Sequence, residues 1–145
     1  MTEMKPVVVE RIVSVPPEKV WPYLTMGSMW SRWQGESAEI HPVPGGRFTM
    51  RMPDGAVASG DVLDVVENRS ITLTWGWAGV PFDLPPGSTT VSISLTPLGN
   101  GGTRITVMHS DLPSDVAGHH REGWVASLGQ LDVVVAASSG GGSAV

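Results

Sequence analysis

From Arg47 to His109 the apolar residues fall at every second position, run after run, and this alternation constrains the architecture more than any other feature. Phe48, Met50 and Met52 share one face of such a run, with Arg47, Thr49 and Arg51 on the other. Ile71, Leu73, Trp75 and Trp77 alternate with Thr72, Thr74 and Gly76, and Val91, Ile93 and Leu95 with Ser92, Ser94 and Thr96. In the last run Ile105, Val107 and His109 share a face. A period of two with one apolar face is the pattern of a strand packed on one side. Pro53-Asp54-Gly55, Glu67-Asn68-Arg69 and Asn100-Gly101 punctuate the runs as turns, so successive strands pair antiparallel, with Ala56 to Val66 returning after the first hairpin.

After His109 the period changes. Trp124, Leu128, Leu131 and Val135 recur at steps of four, three and four, one apolar stripe on a helix predicted over Ser114 to Ala136, with Ser114 as its N-cap. Such a helix is about 35 Å long, longer than the strands it would cover. The start of the chain is less regular. Val7 to Val15 reads as a strand, and Pro17 sits well as the first residue of a short helix over Glu18 to Met26, kinked or shortened by Pro22. Met29 to Trp33 adds a helical turn, and alternation sets in from residue 36. Ala78 to Ser88 holds three prolines and two glycines and is expected to be a long mobile loop. Residues 138–145, SSGGGSAV, are expected to be a flexible tail behind a single domain over 1–137. One helix laid across one curved antiparallel sheet is an α+β arrangement.

Composition narrows the function classes. A chain of 145 residues suits one domain with a real core, and 41% hydrophobic against 16% charged residues describes a globular protein. The net charge of -5 offers no basic footprint for nucleic acid. Cysteine is absent, which excludes disulfides, thiolate metal sites and cysteine nucleophiles. The opening MTEMKPVVVE has no apolar core of a signal peptide, and no apolar run reaches about 18 residues, so a cytoplasmic location without membrane insertion is expected.

The segment HHREGW, His119 to Trp124, is the most chemical-looking stretch. Adjacent helical residues point about 100° apart, so the two histidines cannot share a site. His120 lies on the stripe with Trp124. His119 and Glu122 could form a metal pair, but no spacing supplies a third ligand, and no metal or cofactor is expected. Gly118, Gly123 and Gly129 weaken the helix by about 1 kcal/mol each relative to alanine, a cost that points to close packing or to space left beside it. His109 is the candidate general base, since it faces inward; the plainer reading is a histidine satisfied by neighbouring backbone or by the last helix. Trp75, Trp77, Phe48, Met50 and Met52 make the apolar faces that suit an adaptable pocket or a packed core, with Trp124, His120 and His109 beside them as ligand-binding candidates. Trp21, Trp30 and Trp33 are expected near its opening. Asp61, Asp64 and Glu67 read as ordinary strand and turn carboxylates.

The segments KVWPYLT, SRWQGESAEI, PGGRFTMRM, LTWGW, STTVSISLTPLGNGGTRITVMHS and HHREGWVASLGQL, in this order from about Val7 to Leu131, resemble the heat-shock protein 90 ATPase activator homologue family. That family belongs to the START-like (helix-grip, SRPBCC) superfamily. The resemblance implies a helix-grip fold, a curved antiparallel sheet of about seven strands around the C-terminal helix, with a cavity between them. Relatives use such cavities for lipids, sterols, polyketides and other apolar molecules, and the polyketide cyclases and aromatases do chemistry there. The leading expectation is therefore an apolar or aromatic small molecule held between sheet and helix. A cyclase-like or hydrolytic enzyme with His109 as acid/base comes second. A chaperone ATPase activator comes third, because the activators that name the family carry an added N-terminal domain for which this chain, beginning at its first strand, has no room. A homodimer through a sheet edge or the tryptophan-rich helices is also an expectation.

Overall fold

The computed structural model describes residues 6–81 and 83–143, with side chains through Ser138. Seven strands form one antiparallel sheet in the order β1-β7-β6-β5-β4-β3-β2. The elements are β1 (Val7–Val13), three short helices α1 (Pro17–Val20), α2 (Pro22–Thr25) and α3 (Gly27–Trp30), then β2 (Ser37–Ile40), β3 (Arg47–Arg51), β4 (Val57–Val66), β5 (Ser70–Ala78), β6 (Thr89–Pro97), β7 (Thr103–Ser110) and the closing helix α4 (Ser114–Ser143). From β2 to β7 each strand pairs with the next, as the turns dictate. The three short helices carry the chain from β1, at one edge, to β2 at the other.

Pro22 does more than kink the first helix. Its missing N–H ends α1 and opens α2 at the Trp21 corner. The turns are built as their residues require. Asp54 Oδ1 accepts the Ala56 N–H at 2.9 Å, and Gly55 takes φ 93°, open mainly to glycine. Asn100 Oδ1 does the same for Gly102 at 3.0 Å, with Gly101 at φ 87°. Between β4 and β5 the register shifts at Val62/Asp64, a bulge that adds to the curvature of the sheet.

Helix α4 lies against the concave face. Val116, His120, Trp124, Leu128, Leu131 and Val135 are all buried, so the predicted stripe holds and extends two turns toward the N-terminus. Truncating Leu128 or Leu131 to alanine would cost about 2–5 kcal/mol by the usual cavity argument. The helix also covers the β1 edge. Arg121 donates to the Val8 carbonyl at 3.1 Å, and Arg11 meets Asp132 at 2.9 Å, which leaves that edge less open to stray strand pairing.

Four expectations need correction. Helix α4 runs on to Ser143, past the boundary read at Ala136, because no proline stops it and the Ser138 hydroxyl meets the Tyr23 hydroxyl at 3.0 Å; the last two residues of the expected tail lie outside the described residues. The segment 78–88 is not a free loop. Leu84 is buried, its carbonyl accepts the Trp77 N–H at 2.6 Å, and Gly76 gives Pro85 and Pro86 room to lie on β5; Phe82 lies outside the described residues. Ser114 is already helical, and the Pro113 carbonyl takes the first N–H groups, those of Val116 and Ala117 at 3.1 Å. Trp30 and Trp33 do not rim an opening; both are buried, because their rings close one end of the core against Phe48 and Trp124.

Candidate functional site

The alternation of β3 and β5 delivers Phe48, Met50, Trp75 and Trp77 to the concave face, where α4 brings Trp124. Phe48 stacks on Trp75 with ring centroids 5.2 Å apart, and Trp75 packs on Trp124 at 5.3 Å and edge-on to Trp77 at 5.9 Å. Beside this cluster the sheet and α4 do not close. A cleft of about 650 Å³ remains between them, a size ordinary for small-molecule sites. Met50, Met52, Trp75 and Trp77 form its sheet wall, and His120, Gly123 and Trp124 its helix wall. Val80 and Pro81 lie at its side, and Asp54, Asp115 and His119 bring polar groups to it.

Gly123 explains part of the opening. A methyl group placed on it meets nothing within 4 Å. Of the two reasons a helix could carry glycines, space beside it applies at Gly123 and Gly118.

Of the residues predicted from sequence, six line the cleft: Met50, Met52, Trp75, Trp77, His120 and Trp124. Phe48 and His109 stand behind the wall, both 0% exposed. The surroundings of His109 settle its tautomer. An indole can only donate, so the Trp124 N–H, 3.0 Å from Nδ1, makes that nitrogen the acceptor. Nε2 then carries the proton and donates to Thr89 Oγ1 at 2.8 Å, and the Thr89 hydroxyl donates onward to the Trp75 carbonyl at 2.6 Å. Burial, followed by the nearby His120, lowers the His109 pKa to about 3. Both ring nitrogens are engaged, and the ring stays neutral at ordinary pH.

His120 has the opposite tautomer for the same reason. The Trp77 indole donates to its Nε2 at 3.0 Å, so Nδ1 donates to the Val116 carbonyl at 2.8 Å. Burial lowers its pKa, against the Val116 bond, which raises it, and with a small further push down from His119. The two rings meet edge to face at 5.2 Å. Each histidine thus anchors α4 to the sheet through one indole.

Sequence reading missed Gln34 and Ser127. Gln34 Oε1 accepts the Trp30 indole N–H at 3.0 Å and its Nε2 donates to Ser127 Oγ at 3.2 Å, which ties the segment after α3 to α4 at the cleft. His119, considered from sequence only for a metal pair with Glu122, also lines the cleft. The signal was available: His119, Gly123 and Ser127 recur at steps of four, a second and smaller stripe beside the apolar one. Among the described residues no three His, Asp or Glu side chains converge as a metal would require, and no helix is long and apolar enough to cross a membrane.

A curved seven-stranded antiparallel sheet gripping one terminal helix, with a cleft between them, defines a START-like helix-grip domain. Residues 14–136 match the family model described as Activator of Hsp90 ATPase homolog 1-like protein, and the chain belongs to that family. A crystallised protein of Mesorhizobium loti is similar at 32% identity over 90% of this chain and 96% of its own, with a TM-score of 0.80. CalU16 of Micromonospora echinospora shares the fold at 22% identity and TM-score 0.74, over 92% of this chain and 77% of its own. The Aha1 dimer of Colwellia psychrerythraea, solved in solution, shares it at 21% identity and TM-score 0.76, over 91% and 96%. Among curated proteins no sequence matched.

Proposed function

We propose that this protein binds an apolar or aromatic small molecule in the cleft between β3, β5 and α4, without a cofactor and without itself catalysing a reaction. The observation that carries this reading is a cleft of about 650 Å³ whose walls are three indoles and two methionines. Aromatic and thioether surfaces adapt to guests of differing shape. A guest burying roughly 200 Å² of apolar surface gains about 5 kcal/mol before association costs, so affinity in the micromolar range or weaker is expected.

The enzyme reading loses its acid/base candidate, because His109 offers a guest neither a free nitrogen nor contact with the cleft. The family's description supports chaperone contact as a second reading, tested by stimulation of a heat-shock protein 90 ATPase. A cytoplasmic location and self-association remain part of the proposal; the dimeric state of the Colwellia relative supports the latter.

The direct experiment is native mass spectrometry of protein purified from its own host, paired with titration of the neutral dye N-phenyl-1-naphthylamine. A retained small molecule, or dye emission that rises and saturates at one equivalent, is expected. Bare protein together with a flat dye titration removes the proposal.

A further inference from the structure

Four buried or half-buried indoles of this protein each donate to an acceptor of the chain. Trp30 bonds Gln34 at 3.0 Å, Trp33 the Tyr23 carbonyl at 2.9 Å, Trp77 His120 at 3.0 Å and Trp124 His109 at 3.0 Å. Trp75 differs. It is 1% exposed, and its Nε1–H meets no acceptor among the described residues. Buried indole N–H groups ordinarily find a partner, and one left without costs about 1–3 kcal/mol. The rings that pack around Trp75 cannot supply one. Phe48, Trp77 and Trp124 have no acceptor, and the acceptor nitrogen of His109 already takes the Trp124 N–H.

Trp75 also lines the cleft, with Met50 and Trp77. The charge of the lining restricts what could satisfy it. Among the described residues the lining includes two carboxylates, Asp54 and Asp115, and no lysine or arginine. A carboxylate guest would enter an apolar cleft against two negative charges with no cation to pair it. A neutral oxygen meets no such penalty.

We propose that the Trp75 indole N–H is the specificity-determining donor of the cleft, and that its guest is a neutral aromatic molecule bearing an oxygen acceptor, of the aryl ketone or quinone class. This rests on the cleft-binding reading and goes one step further, to the chemistry of the guest. Flat indole walls accept a flat ring system. The unmet buried donor discriminates among flat molecules by whether they carry oxygen. A site with a buried donor rejects the analogue that lacks the matching acceptor, since that analogue leaves the donor unpaired.

The test uses three probes of nearly one shape: 2-acetylnaphthalene, 2-ethylnaphthalene and 2-naphthoate, titrated against the full chain by isothermal calorimetry. The ketone is expected to bind about five- to tenfold more tightly than the ethyl compound, the advantage of one added hydrogen bond, and naphthoate to bind most weakly. Trp75→Phe is expected to bring ketone and ethyl compound to the same affinity, the smaller ring weakening both alike, so that the ratio of the two affinities reads the lost N–H. Should that variant fail to fold, the indole N–H resonances of ¹⁵N-labelled wild-type protein decide. One indole signal moves downfield with the ketone and stays in place with the ethyl compound. Equal affinity for ketone and ethyl compound, a preference that survives Trp75→Phe, or tightest binding of naphthoate overturns the inference and leaves the cleft reading intact. Failure of all three probes to bind overturns both.

Discussion

Trp124 on α4 donates its indole N–H to Nδ1 of His109 on β7 at 3.0 Å, and this one bond ties the buried histidine to the closing helix through its acceptor nitrogen. The ring is held neutral, with its pKa lowered from 6.5 to about 3 by burial. Between those two values the unfolded chain binds a proton that the folded chain refuses. The unfolded state therefore holds more protons in that window, and stability must fall as pH drops through it.

The first prediction follows from that sign. Lowering the pH from 7 to 5 reduces the unfolding free energy, with His109 contributing about 1.4 kcal/mol for each unit below 6.5. His120, also lowered by burial, acts in the same direction. Urea unfolding at both pH values measures the loss. Repeating it on His109→Gln isolates the ring, because glutamine does not titrate, and a flatter pH dependence is expected. Wild-type protein equally stable at pH 7 and pH 5 would contradict the anchored neutral histidine.

Much of this arrangement can be read in the sequence, and the unread parts have physical causes. Period-two runs placed Met50, Trp75 and Trp77 on the inner face, and a 3.6-residue stripe placed Trp124 and His120 opposite them. Those are properties of each element by itself. His109 was placed inward correctly, yet its partners, Thr89 and Trp124, come from β6 and α4, and only the register of the sheet brings them together. Strand β2 was missed as a separate element because Ser37–Ile40 is a short edge strand whose alternation covers too few residues to stand out. Trp30 and Trp33 looked like rim residues because short helices offer no long period from which to judge burial. The segment 78–88 looked free because its composition is that of a loop, whereas Gly76, on a different element, is what lets it dock.

The docking of that segment makes the second prediction. A methyl group on Gly76 would run into the Pro85 carbonyl and Pro86, backbone that cannot swing aside. Gly76→Ala therefore lifts residues 83–86 from β5 and breaks the bond from the Trp77 N–H to the Leu84 carbonyl. A loss of about 1–3 kcal/mol is expected, together with faster proteolytic cleavage between residues 79 and 88. Urea midpoints and a timed protease digest read the two effects. An unchanged digest would mean that Gly76 is not what holds the segment.

Gly123 carries the last prediction, in which stability and binding separate. The helix accepts glycine at a cost of about 1 kcal/mol relative to alanine, and nothing lies within 4 Å of where its side chain would be. Gly123→Ala should therefore stabilise the protein by about 0.5–1 kcal/mol, seen as a higher thermal midpoint, with dye binding only slightly weakened. Gly123→Leu projects a whole isobutyl group toward the cleft that Gly123 lines. It should leave the protein folded and remove most of the binding of N-phenyl-1-naphthylamine, as read by dye fluorescence. The pair distinguishes a glycine kept for close packing from one kept for room. Close packing predicts that both variants lose stability, leucine more. Room predicts a gain for alanine, and for leucine a loss of guest binding in a folded protein. A folded Gly123→Leu variant that binds dye as well as wild type would place the guest somewhere other than this cleft.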